Sequence, residues 1–114
     1  MNQYILLFRG GHETYSKFTQ KDIKLDQLNW GKWIELLASK NHNPSGLALS
    51  REFVRVVEQD KIINLPFGND ETKVSGYLII SAQNIEEVVE VSKICPIVLI
   101  GGNVEIKQML PTEF

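Results

Sequence analysis

The chain is short of cysteine, of proline and of long apolar runs, and each shortage closes off a class of protein. Cys95 stands alone among 114 residues, so no internal disulfide can form, which fits a reducing cytoplasm. Four prolines and eight glycines are too few and too scattered for a linker or a low-complexity tract. The first apolar run, Tyr4 to Phe8, ends at Arg9, short of the h-region of a signal peptide. Nothing approaches the roughly 20 apolar residues of a membrane span, so no membrane partner is expected. Twelve basic residues against fourteen acidic ones give a net charge of −2 with no basic stripe, which argues against nucleic acid as a partner. There is no CxxC, P-loop, GxGxxG or Ser-His-Asp set, and no cofactor is expected.

What is present is a core. Apolar residues make up 43% of the chain, and the length suits one domain spanning 1–114. Strand patterns cover residues 3–9, 46–50, 53–58, 61–65, 74–82 and 103–109. A first helix is expected from Thr19 or Lys21 to about Ser39, with Thr19 as N-cap and Asp22 in the first turn. Its apolar stripe reads Ile23, Trp30, Ile34 and Leu37; Asp26 and Trp33 fall on the edge, and Leu25, Leu28 and Leu36 lie away from it. A second helix is capped by Asn84 with Glu87 in the capping-box position, and buries Ile85, Val88, Val89, Ser92 and Cys95 before Pro96 ends it. "HETYSKFTQ" reads as irregular, and the tail 110–114 as loose or docked on a partner.

The order β-α-β-β-(β)-α-β predicts an α+β domain of ferredoxin-like βαββαβ type, an antiparallel sheet with two helices on one face. The strand at 74–82 is apolar on both faces, as is Tyr4 to Phe8, yet two helices cover only one. A second copy packed sheet to sheet is the simplest cover, so a homodimer is expected.

"YILLFRGG", "WGKWIELL", "LPFGNDETKVSGYLII" and "NIEEVVEVSKICPIVLIGGNVEIK", in that order over nearly the whole chain, resemble the YCII-related proteins, in the branch named for its Asp-Gly-Pro-Phe motif. The resemblance implies a homodimer of the dimeric α/β-barrel type with a pocket near the dimer interface. It also implies a small-molecule ligand, since a few relatives act on products of aromatic-ring degradation. Relatives of this branch often occur beside alternative sigma factors, which supplies a second expectation, a non-catalytic regulatory or interaction module. The motif reads Asn64-Leu65-Pro66-Phe67 here, with its acid replaced by an amide. YCII proteins proper have a proposed His–Asp acid/base pair, one residue early in helix 1 and one just before the proline after helix 2. By position this chain offers Asp26 and Cys95, so that mechanism is not inherited.

Asp26 is the candidate catalytic residue: beside Trp30 and Trp33, a partly desolvated carboxyl would titrate closer to neutrality. The competing account is an exposed acid favoured by the helix dipole. Trp30, Trp33, Asn64, Phe67 and Tyr77 are the candidate ligand-binding residues, the aromatic ones being equally suited to core or interface. His12, Glu13 and His42 lack metal-ligand spacing, and no metal is expected. Gly10-Gly11 and Gly101-Gly102 read as turn punctuation. Cys95, buried at the electronegative end of a helix, is expected to be inert.

Overall fold

The computed structural model describes residues 1–50, 53–65 and 73–111. The elements are β1 (Asn2–Gly10), α1 (His12–Ser16), α2 (Gln20–Ser39), β2 (Ser45–Ala48), β3 (Phe53–Glu58), β4 (Lys61–Leu65), β5 (Val74–Ala82), α3 (Ile85–Ser92), α4 (Pro96–Leu99) and β6 (Gly102–Gln108). Together they make an α+β structure. The four-stranded sheet has the order β2-β5-β1-β6, and its neighbours are all antiparallel. β3 and β4 pair only with each other, as a separate two-stranded ribbon between β2 and β5 in the chain.

Register divides the sheet into two faces, because side chains alternate along a strand and partners across a ladder share a face. Leu6 lies opposite Leu78 and Ile106, and Phe8 opposite Gly76 and Val104. This face carries the core: Tyr4, Leu6, Phe8, Leu78 and Ile80 pack with Trp33 and Leu37 of α2, Val88 and Val91 of α3, and Cys95 and Ile97. On the other face Leu7 lies opposite Tyr77 and Glu105, and Ile5 opposite Ile79 and Lys107. Ile5, Leu7, Tyr77 and Ile79 are half-buried there, and Leu47, opposite Tyr77, is 70% exposed.

α2 starts where its cap was expected. The Thr19 hydroxyl accepts the Asp22 N–H at 3.2 Å, and the Asp22 carboxylate accepts the Thr19 N–H at 2.9 Å. Those hydrogen bonds to Thr19 hold the Asp22 carboxyl below its ordinary range. Trp33, placed by the wheel at the stripe's edge, is at the centre of the buried side with Leu37.

The second helical region departs from expectation. α3 stops at Ser92, and Pro96 opens α4 at its first turn instead of closing a longer helix. The same missing N–H that makes proline a poor interior residue costs nothing at a helix start. The buried stripe is Val88, Val91, Ser92 and Cys95, while Ile85 and Val89 are 43% and 39% exposed. The helix is turned towards Val91 because the Trp33 indole N–H donates to the Val91 carbonyl at 2.9 Å. The segment after β1, read as irregular, holds the short helix α1, entered through Gly11 at φ 77° and tied by the Ser16 hydroxyl donating to the Glu13 carbonyl. Among the described residues no helix is long and apolar enough to cross a membrane.

Candidate functional site

A cavity of about 480 Å³ opens between the helices and the end of the sheet where β1 leaves and β2 and β5 meet. Its sheet side is formed by Phe8, Gly46, Ala48, Gly76 and Leu78, and its helix side by Asp26, Trp30 and Ile34 of α2. His12 and Tyr15 of α1 close one end, with Ile97 and Ile100. The volume lies in the range of small-molecule sites.

Chain geometry makes this space. Gly10 and Gly11 both adopt φ 77°, a left-handed conformation that side chains resist, and swing the chain from β1 into α1. At Gly46, β2 approaches β5 so closely that a Cβ would run into the Tyr77 carbonyl. A glycine there brings an edge strand in tightly and leaves room above it.

Asp26 and Trp30 are one turn apart on α2, so they share a face. The Trp30 indole N–H donates to the Asp26 carboxylate. Burial pushes the Asp26 carboxyl above its ordinary value of 3.8, and this hydrogen bond opposes the push without cancelling it. Trp30 meets Phe8 edge-on, with ring centroids 5.2 Å apart at 73°, and Trp33 at 5.7 Å and 84°. The three rings therefore brace one another, and Trp30 alone of the two tryptophans lines the cavity.

Of the residues singled out in the sequence, Asp26, Trp30 and Tyr77 line one space. Trp33 stands behind Trp30, 3% exposed, with its N–H committed to Val91. Asn64 lies in β4 opposite Val54; its side chain, like Phe67, lies outside the described residues. The acidic loop after Pro66 lies outside them as well. His42 is buried with Nδ1 2.7 Å from the Ser81 carbonyl, so that nitrogen carries the hydrogen, and it is not a cavity residue. Among the described residues no three of His, Cys, Asp or Glu converge as metal ligands.

Cys95 is fully buried, and burial pushes its thiol up to about 12. Backbone N–H groups at the start of α4 pull the other way, and the negative charge of Asp26 adds to the push. The Asp26 charge thus adds a small push to the Cys95 thiol.

Sequence reading did not anticipate Phe8, Tyr15, Ile97 or Ile100 as lining residues. Phe8 gave a signal in hindsight, since it shares the β1 parity of Tyr4 and Leu6 and ends beside a double glycine. Tyr15 gave none, because α1 itself was not expected. No family model matches the chain, and no curated protein matches it.

Proposed function

We propose that this chain is a homodimeric, YCII-related protein of ferredoxin-like type that binds a small aromatic or enol-type molecule in the cavity beside Asp26. The observation that carries the reading is a roomy apolar cavity with one partly desolvated carboxyl and an indole N–H on its wall. A carboxyl with a raised pKa in such a place can exchange a proton with an enol, which leaves room for an enzymatic role. The strand order and the helices gathered on one sheet face support the ferredoxin-like assignment.

The uncovered face of the four-stranded sheet supports the second copy. The row Leu47, Tyr77, Leu7 and the row Ile79, Ile5 supply the apolar surface to be covered.

A second reading, a non-catalytic interaction module with a regulatory partner, draws on Leu25 and Leu28, which are 56% and 54% exposed on the outer side of α2. Two measurements separate the readings. Light scattering at micromolar concentration should give twice the 13.0 kDa chain mass. A thermal-shift screen of small aromatic, lactone and enol compounds should yield binders whose affinity falls at least tenfold in Trp30→Ala, a change of about 1.4 kcal/mol. A monomer with no binders would hand the case to the interaction module.

A further inference from the structure

The cavity has a one-sided charge pattern. Asp26 is the sole carboxylate on its wall among the described residues, and no described lysine or arginine lines it. Among the described cations, Arg9 pairs with Glu105 at 3.1 Å, and neither Arg9 nor Lys73 is a lining residue. The aromatic residues Phe8, Tyr15 and Trp30 line the same cavity as the carboxylate. Trp30 is held edge-on against Phe8 and Trp33, and its N–H is turned to Asp26.

Two physical effects follow from that pattern, and they point the same way. An anion entering the cavity would lose its water and meet the Asp26 charge, with no lysine or arginine among the described lining residues to receive it. A cation would gain an opposite charge in a space of lowered dielectric and could lie against ring faces, whose quadrupoles attract positive charge. From this we propose that the cavity selects a small organic cation, an ammonium or amidinium group carried on a flat apolar body. The head would sit at Asp26, and the body against Phe8, Leu78 and Ile97. A volume of about 480 Å³ takes a two-ring body with room to spare. The inference rests on the small-molecule reading above and narrows it, since it excludes the aromatic carboxylic acids that a search among ring-degradation products would try first.

The test uses three probes of one shape: 2-naphthylmethylamine, 2-naphthylmethanol and 2-naphthylacetate, titrated calorimetrically into the full chain at pH 7.5. The amine should bind at least tenfold tighter than the acetate, with the alcohol between them. In Asp26→Asn, which keeps the shape and can still accept the Trp30 N–H, the amine should lose its lead so that the three agree within threefold. Unchanged binding of the neutral alcohol will show that the variant is folded and its cavity intact. Because His12 also lines the space, the series is repeated in His12→Gln, where the preference for the amine should persist. If the acetate binds as tightly as the amine, or if the preference survives Asp26→Asn, the cation inference fails while the small-molecule reading stands. If none of the three binds at millimolar concentration, both fail together.

Discussion

Trp30 and Trp33 look interchangeable in the sequence, and the structure gives them different work, so Trp→Phe at each site is a direct test of the arrangement. Trp33 is 3% exposed and its N–H satisfies the Val91 carbonyl in the last turn of α3, one of the acceptors that a helix cannot bond internally. Replacing it with Phe removes about 40 Å³ of side chain, which at about 24 cal/mol per Å³ costs roughly 1 kcal/mol. Leaving a buried carbonyl without its donor adds about 1–3 kcal/mol. The expected loss is therefore about 2–4 kcal/mol, or roughly 8–16 °C in Tm for a chain of this size. Trp30 is half-buried at the cavity, and its partner Asp26 can be solvated from that side. Trp30→Phe should cost about 0.5–1.5 kcal/mol. Urea titrations of the two variants read the stabilities, and acrylamide quenching reads the tryptophan each retains. The protein keeping only Trp33 should be the less quenched of the two. Equal costs, a larger cost at Trp30, or a readily quenched Trp33 would refute the division into a core tryptophan and a cavity tryptophan.

Other outcomes follow from burial and from backbone space. Cys95 should resist thiol reagents in the native protein and react at the ordinary rate in denaturant. Its thiol pKa is raised from 9.0 to about 12, so the unfolded chain releases that proton first. Stability from this group is full below pH 9 and falls through the window up to about 12, by roughly 1.4 kcal/mol per pH unit; Cys95→Ala should flatten the decline in urea titrations run across it. Gly31→Ala should raise stability by about 0.5–1 kcal/mol, because a Cβ there meets nothing within 4 Å in mid-helix. Gly46→Ala should lower it by at least about 2 kcal/mol, since the new methyl would collide with the β5 backbone. Amide exchange should place the loss in the pairing of β2 with β5.

Strong local signals were the legible part. The Thr19 and Asn84 caps formed as their side chains require, and the alternation in β1 and β5 set the two faces of the sheet. The strands at 46–50, 53–58 and 61–65 read alike because each is a short apolar run, yet β2 joins the sheet while β3 and β4 keep to themselves. The turn between Glu58 and Lys61 is legible as a hairpin and does join β3 to β4, whereas the pairing of β2 with β5 is non-local, and no residue in 46–50 names it. Pro96 was ambiguous for a different reason: its missing N–H suits a helix start as well as a helix end, and only the tertiary tie from Trp33 to Val91 decides where α3 stops. At the cavity, the spacing of Asp26 and Trp30 on α2 was readable as one turn of helix. Their facing Phe8 and Gly76 was not, since that depends on how α2 lies across the sheet.

The ribbon of β3 and β4 has a consequence for how such a chain can change over time. Ala48 stands opposite Gly76, and the Leu49 N–H still donates to the Ser75 carbonyl beyond it at 2.9 Å, so the two roots of the insert are already neighbours in the sheet. Roots one strand spacing apart, roughly 4.8 Å, can be joined by a tight turn as well as by a long excursion. Lengthening, shortening or exchanging everything between them leaves every ladder of the four-stranded sheet in register. Since Ala48, Leu49, Ser75 and Gly76 also border the cavity, descendants of this chain can trade one insert for another at the cavity mouth. The lining beside those roots would change without renegotiating the core.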